Sequence, residues 1–185
     1  MKKKLVLLFL ISFFTEKYAC AQNLMTKRWL LGAARVSQIV FDDTTKPLMK
    51  IIYPYPPSVH YSDGGHSNIC DSTTGKLLFS TNGMILYDSA GDIMDNGDHL
   101  VDNKLYIHNA FPSSGLTQSS LIIPKGSNGL YYVFICSVSD STYNYYITNP
   151  GGTGKFPYDR LEYSVVDINQ NNGLGKVVVK RQKLL

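Results

Sequence analysis

The sequence predicts an all-β fold built from short antiparallel meanders. Short runs rich in β-branched and aromatic residues alternate with Gly-, Asn- and Asp-containing turns. Thirteen Tyr, eight Phe and fifteen Gly fit strands joined by tight turns. Beyond the first residues there is no amphipathic helical period. With 44% hydrophobic and 17% charged residues, the composition is that of a folded chain, and 185 residues suit one domain.

The N-terminus is set aside first. Lys2, Lys3 and Lys4 precede an apolar stretch from Leu5 to Phe14, and Ala19-Cys20-Ala21 supplies small residues at cleavage-site spacing. This is the pattern of a secretory signal peptide over residues 1–21, so the mature chain is expected to start at Gln22, beyond the inner membrane. A membrane span needs roughly 20 apolar residues, and Glu16 and Lys17 interrupt the run. An acylated Cys20 is the lesser alternative, because Lys17 stands where such signals carry an apolar residue. The leader holds Lys2, Lys3, Lys4 and Lys17 against Glu16, three of the chain's four net positive charges. The mature chain is therefore close to neutral, with no clustered basic face for nucleic acid.

Residues 22–185 form the expected domain. Trp29–Gly32, Val36–Phe41 and Leu48–Tyr53 read as strands, and Pro54–Pro57 as a stiff linker. The first blade-sized unit covers about residues 66–95. Its strands are Ser67–Cys70, Leu77–Thr81, Met84–Tyr87 and a start at Asp92–Met94. Asn82-Gly83 reads as a two-residue hairpin turn. Asp71…Gly75 and Asp88…Gly91 are turns opened by an Asp acceptor and closed by Gly. A sialidase-type Asp-box is excluded there by spacing. The second unit covers about 118–181, with strands at Gln118–Ile123, Leu130–Val138, Leu161–Ile168 and Lys176–Lys180. Leu130–Val138 is apolar on both faces, as a central strand would be. A long insertion, Ser139–Arg160, separates its second and third strands, a length associated with function or disorder.

Two four-stranded meanders in series resemble consecutive β-propeller blades, here an incomplete propeller. The alternative is a β-sandwich closing one core. Two blades leave terminal edges open. Val177-Val178-Val179 lies on one of them, flanked by Lys176, Lys180, Arg181 and Lys183, so the isolated mature chain is expected to be marginally stable and either to self-associate through sheet edges or to need a partner strand.

The order of segments carries a resemblance: Trp29-Leu30-Leu31-Gly32, then Asp71…Gly75-Lys76-Leu77-Leu78-Phe79-Ser80-Thr81-Asn82-Gly83. Thr117–Lys125, Tyr131–Phe134, Leu161–Asp167 and Asn172–Gly175 follow. It is similar to the N-terminal, β-propeller-like region of large secreted proteins of gliding bacteria, which often end in a type IX secretion, gliding-motility-associated sorting domain. The resemblance implies a secreted or cell-surface location and a propeller-like fold. It covers most of residues 29–185. Family members continue for further blades, so the chain reads as a truncated frame or a short paralogue. The family brings no established reaction.

Motifs of known chemistry are missing. There is no Gly-x-Ser-x-Gly elbow around Ser113, Ser114, Ser119 or Ser120. His60, His66, His99 and His108 lack ligand spacing. Gly151–Lys155 fails as a phosphate loop at Asn149 and Phe156. No cofactor and no metal are expected. Cys70 and Cys136 sit in apolar strands, as buried thiols or as a disulfide pair. Asp92, Asp95, Asp98 and Asp102 with Asn96 and Asn103 make an oxygen-rich loop, a solvated loop rather than a Ca²⁺ site because the ligand spacing is wrong. The candidate binding residues are the aromatics of the insertion: Tyr143, Tyr145, Tyr146, Phe156 and Tyr158. They are positioned to stack on an extracellular glycan or protein partner, or else to pack on their own blade. The expected class is a non-enzymatic binding or structural module associated with adhesion or gliding. The rival is a fragment of a propeller-type carbohydrate-active enzyme whose acids would include Asp140, Asp159 or Glu162.

Overall fold

A computed structural model describes residues 28–31, 37–40, 48–51, 66–101, 119–149 and 158–184. Residues 1–21, read as a signal peptide, Pro54–Pro57, read as a linker, the Gly151–Lys155 run and Phe156 lie outside them. The strands are β1 (Arg28–Leu31), β2 (Ser37–Val40), β3 (Leu48–Ile51), β4 (Ser67–Cys70), β5 (Leu77–Thr81), β6 (Leu86–Tyr87), β7 (Ser120–Pro124), β8 (Leu130–Ser137), β9 (Arg160–Asp167) and β10 (Lys176–Lys183). They form three antiparallel sheets in meander order: β1-β2-β3, β4-β5-β6 and β10-β9-β8-β7. The fold is all-β, as the sequence predicts.

Local chemistry fixes the turns. Asp71 Oδ1 accepts from the amides of Thr73 and Thr74, and Gly75 sits at φ 65°. Asp88 Oδ1 accepts from Ala90, Gly91 and Asp92, with Gly91 at φ 94°. These are the Asp-to-Gly turns read from sequence.

The unit around residues 66–95 departs from expectation twice. It has three strands, and the fourth is reduced to a bridge between Tyr87 and Ile93. The Asn82-Gly83 hairpin is wider than two residues, since Thr81 pairs with Leu86 across four. The Asn82 side chain accepts from the amides of both Met84 and Ile85, and Thr81 Oγ1 donates to the Ile85 carbonyl. Met84 and Ile85 are fully buried. Their burial pulls the loop inward, and the Asn82 side chain satisfies the amides that a tight turn would leave in an apolar setting.

The second sheet follows its predicted order. Along β8, Tyr131, Val133 and Ile135 are buried and alternate with half-buried Tyr132, Phe134 and Cys136. The buried row meets Ile69, Phe79, Met84, Leu86, Met94 and Leu100 in one apolar cluster, joined by Val166 and Val177 from β9 and β10. Phe79 meets Tyr131 edge-on at 5.4 Å, a favoured aromatic geometry. The two sheets therefore share one core, and Ser67 and Ser120 hydrogen-bond between them at 2.9 Å.

The first sheet is attached differently. The Asn68 amide donates to the Arg28 carbonyl and its oxygen accepts from the Leu30 amide, at 2.7 and 3.4 Å. One side chain thus imitates a strand neighbour. Both described cysteines are free, Cys70 buried and Cys136 half-buried. Burial raises the Cys70 thiol's pKa above its ordinary value.

The edge at Val177–Val179 is not open along its length. The Val177 amide donates to the Asp95 carbonyl, and Asn96 Nδ2 donates to the Val177 carbonyl. The Val177 side chain is in the core, and only Val178 and Val179 are exposed.

Candidate functional site: the aromatic insertion

The insertion begins with a helix, α1 (Asp140–Thr148), where the sequence gives no helical period. What starts it is a cap. Ser139 Oγ accepts from the Thr142 amide at 3.3 Å, and Asp140 lies in the first turn, both favourable at a helix N-terminus. Asp159 then closes the insertion on itself. Its carboxylate accepts from the Ser139 amide at 2.7 Å, and from Ser139 Oγ and Thr142 Oγ1 at 2.6 Å each. The hydroxyls of Ser139 and Thr142 come first among the groups that hold its pKa down at about 2. Hydrogen bonds to the charged form have this effect.

No residue of α1 is buried. Tyr143 rests partly buried against the core, and so does Tyr158. Desolvation raises the Tyr158 phenol's pKa above its usual value. Tyr145 is 65% exposed and meets the ring of Tyr146 edge-on at 6.0 Å; Ile147 is exposed beside them. The predicted aromatics thus divide. Tyr143 and Tyr158 pack on their own sheet, Tyr145 is exposed with half-buried Tyr146 against its ring, and Phe156 lies outside the described residues.

The acids proposed as enzyme remnants also part company. Asp159 is the cap acceptor, and Asp140 is exposed in the first helical turn. Glu162 is buried on the core side of β9, 3.4 Å from Arg160 and 4.0 Å from Arg181. The oxygen-rich loop serves as a tie: Asp95 pairs with Lys176 at 2.9 Å and Asp98 with Lys180 at 3.1 Å. Burial opposes ionisation of Asp98, but hydrogen bonds and charge from Lys180 and His99 outweigh it and lower its pKa. Asp102 and Asn103 lie outside the described residues. Among the described residues no three His, Cys, Asp or Glu side chains gather as metal ligands, and no helix is long and apolar enough to cross a membrane.

Sequence reading missed a second aromatic group. On the outer face of the larger sheet, Tyr132, Phe134 and Tyr163 lie with ring centroids 5.6–6.2 Å apart. Lys125 Nζ stands 5.0 Å over Tyr132, and Leu121 and Ile123 are exposed alongside. Its signal was present: β8 is apolar on both faces, which placed it centrally but also announced a second apolar face. Comparison with known protein families, curated proteins and solved structures finds no match.

Proposed function

We propose that the chain is an exported, non-enzymatic binding or structural module of the cell surface, with α1 as its contact element. One observation carries the reading: Tyr145 and Ile147 are exposed, with the half-buried Tyr146 against Tyr145, on a helix without a buried residue. A helix of nine residues is marginal by itself. This one is held by its cap, by Asp159 and by Tyr143 resting partly buried against the core. Aromatics so displayed suit CH–π contact with a glycan or an apolar contact with a protein. The resemblance to propeller-like regions of gliding-bacterial proteins adds adhesion or gliding as the setting.

The mature chain, applied to a glycan array and to immobilised cell-surface protein, is expected to bind. Tyr145→Ala with Tyr146→Ala should weaken that binding at least about tenfold, the loss of two aromatic anchors. Unchanged binding would remove α1 from the contact. Turnover of chromogenic glycosides, abolished by Glu162→Gln, would replace the reading with the carbohydrate-active one. N-terminal sequencing of exported material should begin at Gln22; cytoplasmic protein retaining Met1 would refute export.

A further inference from the structure

The segment Asp95–Asp98 lies along the outer edge of β10, where a further strand would pair. Asp95 and Lys176 form a parallel bridge, the only parallel pairing among the described residues. Both outward backbone groups of Val177 are taken, the amide by the Asp95 carbonyl and the carbonyl by Asn96 Nδ2. Two lysines four residues apart then grip the segment. Lys176 pairs with Asp95, and Lys180 Nζ donates to both the carbonyl and the carboxylate of Asp98, at 2.8 and 3.1 Å.

The segment is held to its own sheet by other bonds. Leu86 donates to Gly97, and Leu100 donates to Met84. To β10 it offers chiefly backbone and charge. Asn96 and His99 sit at φ 58° and 47°, conformations L-residues seldom take, so the path that brings both carboxylates to the lysines is strained. Past Val177 the edge continues with exposed Val178 and Val179.

We infer that the outer edge of β10 is a strand-acceptor surface for an acidic extended segment of a partner protein, carrying carboxylates three residues apart, and that Asp95–Asp98 occupies it in cis. Charge complementarity selects this occupant. The edge carries Lys176, Lys180 and Lys183, so a second β10 would bring like charges together. An acidic strand repeats contacts the edge already makes. Backbone pairing supplies affinity and the lysines supply selection, as in β-strand addition generally. The inference is independent of α1.

A synthetic peptide of residues 92–101 is the probe. Asp95→Asn with Asp98→Asn loosens the internal segment, and hydrogen exchange at the Val177 amide should then accelerate about tenfold. That variant should bind the peptide saturably, at least about fivefold more tightly than the native chain does. Binding should fall when Asn replaces both Asp residues of the peptide, and again with Lys176→Met and Lys180→Met. If the double variant fails to fold, Asp98→Asn alone carries the same comparison. Unaltered Val177 exchange, absence of peptide binding by a loosened variant, or binding indifferent to the lysines would each overturn the assignment. Dimerisation without peptide, seen by light scattering, would give the edge to a second copy instead.

Discussion

At the residue scale, function follows from which carboxylates are already engaged. Asp71 and Asp88 were legible in the sequence because their partners lie two to four residues on. Asp159 was not, because Ser139 is twenty residues away, and spacing carries no information across such a gap. Its lowered pKa gives a signed expectation. The group is held from the ordinary 3.8 down to about 2, so its contribution is complete above the unfolded value. It is lost as pH falls through the folded one. The closed form of the insertion should therefore persist at pH 4 and open towards about pH 2. Asp159→Asn should open it at neutral pH. Protease cleavage within 139–160, with the sheet core still intact by circular dichroism, reads both. The effect on global stability should be small, because an exposed carboxylate is screened by solvent. Equal cleavage of native and variant chains would deny Asp159 this role.

Elements were legible where apolar runs end at turn residues and illegible where a tertiary partner decides. The larger sheet's strands were given away by apolar runs bounded by turn residues, Leu121–Ile123 before Pro124 and Leu130–Val138 after Gly129, and not by strict alternation. By contrast, α1 has no apolar stripe to read, since nothing along it is buried. The fourth strand expected at Asp92–Met94 yields to a loop for a similar reason. Met94 turns into the core, and Gly97 closes back on it, donating to the Met94 carbonyl and accepting from Leu86 at 2.7 Å each. Gly97 has no room for a side chain: a Cβ there would stand 2.8 Å from the Met94 carbonyl oxygen and 3.0 Å from that of Leu86. Both are backbone atoms and cannot turn aside. Gly97→Ala should thus cost about 1–3 kcal/mol by overpacking, measured by urea denaturation. It should also loosen the Asp95–Asp98 segment against β10. Gly126→Ala is the control for open space, as nothing lies within 4 Å there. Its cost should come only from the positive φ of 72°. A Gly97→Ala chain no less stable than Gly126→Ala would contradict the packing argument.

Across the whole molecule, the meanders were readable but their assembly was not, because alternation names a buried face without naming what covers it. The β4-β5-β6 and β7–β10 sheets bury their facing rows in one cluster and should unfold together, since removing either exposes the other. Leu30 and Val40, the apolar side chains described in β1–β3, are not part of that cluster. Both are buried apart from it, and the hydrogen-bonded links run through Asn68 and from Arg28 Nε to the Gly75 carbonyl. Hydrogen bonds of this kind contribute only about 1 kcal/mol each, far less than a shared apolar core. The first sheet should therefore separate before the rest. The chain's single tryptophan, Trp29, lies in β1, so its fluorescence follows that sheet while far-ultraviolet circular dichroism follows all three. In a denaturant titration the Trp29 midpoint should come first. Asn68→Ala leaves the Arg28 carbonyl and Leu30 amide without their partner, at about 1–3 kcal/mol, and should move the Trp29 midpoint lower still while leaving the dichroism midpoint nearly in place. Coincident transitions in both chains would mean that β1–β3 belongs to the same cooperative unit, and that apolar burial, not the Asn68 amide, fastens it.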